Sequence, residues 1–166
     1  MASSSLDQAP TNPVIFYSNQ KIDKENKMRI DFHINFSGQC QEAFEFYHSL
    51  LGGEIELLTY AASPAKDSVP SSWAKKIVHG SFIFNGLHIA GADVLPANYQ
   101  KLQGFQLLLQ LKSSTYAQHI FDAFAEGGVI TMPLQKTFWS ESYGIVTDRF
   151  GVPWEVNSDD GNIRPA

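Results

Sequence analysis

Glu155 sits between Trp154 and Val156 in the strand-like stretch Val152 to Asn157. A carboxylate flanked by large apolar side chains in a strand faces either solvent or a cleft, and in a cleft it serves proton transfer or metal ligation. Ahead of it runs an aromatic, hydroxyl-rich loop, Thr137-Phe138-Trp139-Ser140-Glu141-Ser142-Tyr143. Trp139 and Tyr143 are suited to closing over a flat or apolar ligand, and equally to burying a seam between subunits. His79 is predicted to point into a cleft with Ile77 and Ser81, where an imidazole could act as acid or base. A packed, hydrogen-bonded sheet histidine is the plainer account of it. His88 alternates with Ile89 and is open to either face, while His48 falls on a helix. Cys40 is the only cysteine, so no intrachain disulfide forms and a reducing compartment is expected. It falls at a helix start, where a thiolate could be stabilised, but a small buried hydrophobe describes it better. The order of residues shows no Ser-His-Asp arrangement, nucleotide-binding glycine loop or CxxC pair.

Those residues need strands and helices to position them. Ile30, Phe32, Ile34 and Phe36 alternate with Asp31, His33 and Asn35, the pattern of a strand with one apolar face. Gln41 to Leu51 carries a helical stripe (Ala43, Phe44, Tyr47, Leu50, Leu51) and stops at Gly52-Gly53. Glu54 to Tyr60 reads as a strand, Ala61 to Trp73 as a loop. Lys76 to Phe84 and Leu87 to Ala92 are strands joined at Asn85-Gly86, a strong hairpin signal. The same grammar then returns: a strand over Phe105 to Leu111, a helix over Thr115 to Glu126, a stop at Gly127-Gly128, and strands at Val129 to Met132, Tyr143 to Asp148 and Val152 to Asn157. Asp148-Arg149-Phe150-Gly151 forms the last corner. Both glycine pairs follow helices instead of preceding them, so neither is a phosphate cradle. Each half reads strand, helix, glycine pair, three strands, an internal duplication.

The 166 residues suffice for one domain with a real core. With 43% hydrophobic and 17% charged residues the balance is globular, and a net charge of −5 gives no reason to expect nucleic acid or anionic membrane as partner. No segment approaches a membrane span, and the first residues lack the basic start and apolar run of a signal peptide, so a cytoplasmic location is expected. Residues 1–27 read as a polar arm, suited to lying on a neighbouring subunit, and residues 159–166 as a tail.

The segments FSGQCQEAFEFYHSLLGGE (Phe36 to Glu54), KIVHGSFIFNGLHIAGAD (Lys76 to Asp93), FDAFAEGGVITMPLQKTFW (Phe121 to Trp139) and YGIVTDRFGVPWEVN (Tyr143 to Asn157) resemble the PhnB-like branch of the vicinal oxygen chelate superfamily, which includes glyoxalases, bleomycin-resistance proteins and extradiol dioxygenases. The resemblance covers residues 28–158. It implies an α+β fold of two βαβββ modules, about residues 29–93 and 104–158, forming an open, curved mixed sheet around a small-molecule cleft, usually in a homodimer. Function is looser, because the superfamily holds both metal enzymes and metal-free drug-binding proteins.

Metal-dependent members of the superfamily take ligands from the first strand of each module and the last strand of the second. Carried over residue by residue, those places fall on His33, Gln106 and Glu155. Alternation supports this independently, since His33 and Gln106 each oppose an apolar strand face. In the first module the place of Glu155 falls on Ala90, which removes a fourth ligand. Such a set implies a divalent ion, Zn, Ni, Mn or Fe, polarising a small substrate while Glu155 or His79 moves a proton. His79, Leu108, Gln110, Trp139 and Tyr143 are the candidates for substrate contact. The alternative is a metal-free binding protein of the bleomycin-resistance type, favoured by the neutral Gln106 and the missing fourth ligand.

Overall fold

A computed structural model describes residues 29–158. The chain divides into two units, residues 1–30 and 31–166, and every strand and helix described lies in the second. The N-terminal arm and the tail after Ser158 lie outside the described residues.

The elements are β1 (Phe32–Phe36), α1 (Cys40–Leu51), β2 (Glu54–Thr59), β3 (Ile77–Phe84), β4 (Leu87–Asp93), β5 (Leu107–Leu111), α2 (Ser114–Ala125), β6 (Val129–Gln135), β7 (Ser142–Thr147) and β8 (Pro153–Ser158). Two short 3-10 turns, Lys66–Ser68 and Ser71–Trp73, interrupt the β2–β3 connection. The strands form two four-stranded sheets with identical topology, β1-β4-β3-β2 and β5-β8-β7-β6. In each the first strand lies parallel to the last and the remaining pairs are antiparallel. The expected α+β fold of two βαβββ modules is therefore present, with two shortened strands. β1 begins at Phe32 and β5 at Leu107, which leaves Asp31 and Gln106 just ahead of their strands.

The local causes are those legible in the chain. Gly52 and Gly127 end the helices with φ of 77° and 70°, where an L side chain is strained. Asn85 and Gly86 both adopt positive φ, which suits a two-residue hairpin to the right-handed twist of the flanking strands. Ser113 caps α2 by accepting a hydrogen bond from the Tyr116 backbone N–H.

Ile34, Phe36, Leu107 and Leu109 face the core together with Cys40, Phe44 and Tyr47 of α1 and Ile120, Phe121 and Phe124 of α2. Each helix thus covers one face of its sheet and leaves the other free. Close approach of helix to sheet requires glycine in the strands beneath: a Cβ on Gly80 or Gly91 would meet the Phe44 ring at 3.0 or 2.7 Å, and one on Gly144 would meet the Phe121 ring at 2.7 Å. The last strand of each module also holds the start of its helix. The Asp93 carboxylate accepts from the backbone N–H groups of Cys40 and Ile77 at 2.9 and 2.8 Å. In the second module the Ser158 hydroxyl pairs with that of Ser114 at 3.0 Å. Cys40 is fully buried, and burial followed by the nearby Asp93 charge pushes its thiol pKa up, so it is a core hydrophobe and no nucleophile. Among the described residues no helix is long and apolar enough to cross a membrane.

Asp148 locks the two helices' core to the last hairpin. One carboxylate oxygen accepts from the Phe150 and Val152 backbone N–H groups at 2.9 and 3.0 Å. The other accepts from the Tyr47 hydroxyl at 2.6 Å and the Trp154 indole at 2.9 Å. The residue is 4% exposed, and burial raises its pKa above the usual carboxylate value despite four donors acting to lower it.

Candidate functional site

The sheet register fixes which side chains share a face. Ile34 and Phe36 go to the core, so Asp31, His33 and Asn35 take the helix-free side of the first sheet. Their lateral neighbours are Ala90, opposite His33, and Ala92, opposite Asn35. In the second sheet Leu107 and Leu109 go to the core, and Gln106, Leu108 and Gln110 take the helix-free side. Glu155 lies opposite Leu108, and Asn157 opposite Gln110. Superposing the two registers makes Ala90 the counterpart of Glu155, as the sequence indicates. It also makes Leu108 the counterpart of His33, and Asp31 the counterpart of Gln106.

The expected site residues fall in three places. Gln106, Leu108 and Gln110 line a cavity of about 470 Å³, with Phe32, Phe84 and Trp154 among its apolar walls. The Asn157 amide donates to the Gln110 carbonyl oxygen, which orients the Gln110 side chain at the cavity rim. His33 lines a second, polar pocket of about 560 Å³ with Asn35, Asn98, Lys101 and Phe105. Glu155 is in the lining of neither. It interacts with the Tyr143 hydroxyl, whose pKa is raised by burial first and by the carboxylate second. Tyr143 in turn meets the Trp139 ring edge-on, centroids 5.4 Å apart, and Trp139 packs against Phe138 at 4.4 Å. This aromatic group and His79 stand outside the apolar cavity. Among the described residues no three His, Cys, Asp or Glu side chains form a group able to hold a metal ion.

His79 is exposed and shares the helix-free face with the buried Ser81, but it lines no described cavity, and Ile77 is not with them. The β2–β3 pairing shifts between Leu58 and Thr59, so that Leu58 faces His79 and Thr59 faces Ile77. The extra residue, Val78, reverses the alternation and sends Ile77 into the core at 1% exposure.

The register also assembles what the order of residues does not. The Ser81 hydroxyl oxygen lies 2.8 Å from His88 Nε2, and His88 Nδ1 lies 2.8 Å from an Asp31 carboxylate oxygen. Ser81 is on β3, His88 on β4 and Asp31 just before β1, three neighbouring strands. Sequence reasoning also missed the aromatic half of the apolar cavity, Phe82 and Phe84. Their alternation around the Asn85-Gly86 hairpin was the available signal.

Two four-stranded sheets of this shared topology, each carrying one helix, are the architecture of a vicinal oxygen chelate protein, and proteins of known structure agree. The family model described as 3-demethylubiquinone-9 3-methyltransferase matches residues 28–157. Protein YjdN of Escherichia coli (strain K12) is 30% identical over 139 residues, spanning 78% of this chain and 95% of that one. The crystal structure of PA1353 from Pseudomonas aeruginosa aligns with a TM-score of 0.72 at 38% identity, covering 80% of this chain and 98% of that one. A Bacillus cereus structure described as a putative 3-demethylubiquinone-9 3-methyltransferase, PhnB protein, aligns with a TM-score of 0.66 at 23% identity, covering 80% of this chain and 100% of that one. The chain belongs to this PhnB-like family of the vicinal oxygen chelate superfamily.

Proposed function

We propose that the chain is a small-molecule-binding protein whose apolar cavity takes an aromatic or aliphatic compound with a polar edge. The observation that carries this is the lining: Phe32, Phe82, Phe84 and Trp154 provide flat walls, and Gln106, Gln110 and Asn85 provide neutral amides at the rim. A cavity of about 470 Å³ falls in the range of drug-sized ligand sites. Neutral amides select by hydrogen bonding without requiring a charged ligand. Titration with an uncharged aromatic probe, followed by tryptophan fluorescence in a Trp73→Phe, Trp139→Phe background that leaves Trp154 as the reporter, should show one saturable site per chain. Leu108→Arg, at a position 53% exposed, would fill the cavity mouth while leaving the fold intact, and should abolish the signal. Unchanged binding in that variant would reject the cavity as the site.

A second reading, metal-assisted proton transfer, draws on the Tyr143–Glu155 pair, a hydroxyl held against a carboxylate on the helix-free face. A divalent ion would be held by His33, Gln106 and Glu155 and would act as a Lewis acid on adjacent substrate oxygens. Gln106 is a neutral amide, and the place in the second module that corresponds to His33 holds Leu108, so within one chain the donor set is incomplete. A homodimer joining the helix-free faces would bring further donors. Leu58, Ile83 and Leu108 on those faces are 41%, 42% and 53% exposed, apolar area that association would remove from water. Metal analysis of wild type and Glu155→Ala decides the metal reading: a stoichiometric ion lost in the variant supports it, and metal-free wild type prepared with each candidate ion rejects it. Sedimentation at micromolar concentration decides the dimer. The single, fully buried cysteine supports a reducing, cytoplasmic setting.

A further inference from the structure

Ser81, His88 and Asp31 make a continuous hydrogen-bonded chain on the helix-free face of the first sheet, and no role above uses it. The two contacts, each 2.8 Å, run through opposite ring nitrogens of one imidazole. A carboxylate beside Nδ1 favours the tautomer with its proton there, which leaves the Nε2 lone pair to accept from the Ser81 hydroxyl. Oriented this way, the imidazole is a general base aimed at a hydroxyl. The group is largely shielded from solvent: the Asp31 and His88 side chains are 25% and 15% exposed, and Ser81 is 8% exposed. Such shielding strengthens each charge interaction relative to water.

Two of the three residues are held by paired strands, and Asp31 stands immediately ahead of a third. Ser81 and His88 lie on strands paired in register, Ser81 opposite Ala90 and Ile83 opposite His88, so the serine and the imidazole are diagonal neighbours on one face. Ala90 flanks Ser81 with only a methyl group, which keeps a bulky side chain out of the approach from the β4 side. In the second module the counterparts of Ser81, His88 and Asp31 are Ile145, Pro153 and Gln106, so the duplication did not impose the arrangement.

We infer that Ser81 is a nucleophile activated by His88 and Asp31, accepting acyl groups from small carboxylic esters or thioesters. Ser81 Oγ attacks the carbonyl carbon as its proton passes to His88 Nε2. The carbon–leaving-group bond then breaks, and Nε2 returns the proton to the departing alkoxide or thiolate, leaving an ester on Ser81. Water attacks that ester by the same route, releasing the acid and the free serine. No metal or redox partner enters, so the proposal stands apart from both the cavity reading and the metal reading.

The test uses the full chain with a chelator present, so that a metal-dependent activity cannot imitate the result. The protein is treated with p-nitrophenyl acetate and, separately, with a fluorophosphonate, and labelled positions are mapped by mass spectrometry. One adduct per chain on Ser81 is expected. Its formation should slow by about 10²-fold or more in His88→Gln, the usual contribution of a general base, and measurably in Asp31→Asn. Circular dichroism confirms that each variant is folded. Should a variant fail to fold, Ser81→Cys supplies the second readout. The thiol it introduces should be alkylated by iodoacetamide well ahead of the buried Cys40, and faster at neutral pH than a free cysteine thiol. No adduct on Ser81, labelling at an equal rate in folded His88→Gln, or a thiol at position 81 no more reactive than free cysteine would each overturn the inference.

Discussion

Removing the Asp148 carboxylate should be among the most damaging single changes to this fold, and it should also loosen the ligand cavity. Asp148→Ala leaves four donors without their acceptor: the Tyr47 hydroxyl, the Trp154 indole and the Phe150 and Val152 backbone N–H groups. A buried donor left unpaired costs about 1–3 kcal/mol. Simple addition overstates the total, because the four share one cavity that admits water and because a costly buried carboxylate leaves with them. A loss of about 3–5 kcal/mol is expected, against a total stability of roughly 5–15 kcal/mol. At about 2–4 °C per kcal/mol for a chain of this size, melting should fall by about 10 °C. Asp148→Asn should fall between: its amide NH₂ must face either two backbone N–H groups or the indole N–H, so one donor always meets another. Tyr47→Phe removes a single donor and should cost about 1 kcal/mol. Trp154 is both an Asp148 partner and a cavity wall, so Asp148→Ala should weaken probe binding in protein that is still folded. Urea denaturation with an unchanged m-value measures the series. A cost below about 1 kcal/mol for Asp148→Ala, or equal costs for all three variants, would refute this account of the hairpin anchor.

The same carboxyl predicts a pH signature. Its folded pKa is raised above 3.8, so the native state holds this proton more tightly than the unfolded chain does. The resulting stability is fully present below the unfolded pKa and is lost as pH rises through the folded one; the penalty of Asp148→Asn should therefore grow as pH is lowered from 7 towards 4. Gly91→Ala should destabilise by about 1–3 kcal/mol through overpacking, since its Cβ would stand 2.7 Å from the Phe44 ring and 3.2 Å from the Cys40 sulfur. Thermal melts of that variant and of Gly91→Ala combined with Phe44→Leu, which should recover part of the loss, check the cause.

Period-two alternation, glycine helix stops and the Asn85-Gly86 turn were enough to place both modules, because each of these is a local rule read from adjacent residues. The site was only partly legible, and the losses have physical reasons. Val78 adds one residue to β3, and a bulge of that kind flips every side chain beyond it, which is why Ile77 parts from His79 and Ser81. Ser81, His88 and Asp31 escaped notice because parallel pairing of β1 with β4 brings Asp31 beside a residue far along the chain, and nothing in residue order announces that register. Leu108 and Gln110 were readable as facing away from the core, but the cavity they enter is completed by Phe32, Phe82 and Trp154, residues that strand periodicity assigns to the core.

Comparison of the two modules, position by position, shows one scaffold carrying two different sets of side chains on its helix-free faces. The structural positions are held in common: Gly80 and Gly144 each admit an aromatic ring from the helix above, and Asp93 and Ser158 each hold a helix start. The helix-free faces differ in kind. The first presents Asp31, His33, His79, Ser81 and His88, a carboxylate, three imidazoles and a hydroxyl. At the matching places the second presents Gln106, Leu108, Tyr143, Ile145 and Pro153, groups that pack and hydrogen-bond, with Glu155 alone carrying charge where the first has Ala90. Since the register of β1–β4–β3 matches that of β5–β8–β7, side-chain identity sets this division across those strands. Exchanging Ala90 and Glu155 between modules would therefore move a carboxylate beside Ser81, at a position 8% exposed, so circular dichroism must show the variant folded. If the relay acts as inferred, Ala90→Glu should suppress Ser81 acylation by repelling the developing oxyanion, whereas Glu155→Ala should leave that acylation unchanged. An acylation rate insensitive to Ala90→Glu would place the reacting group elsewhere.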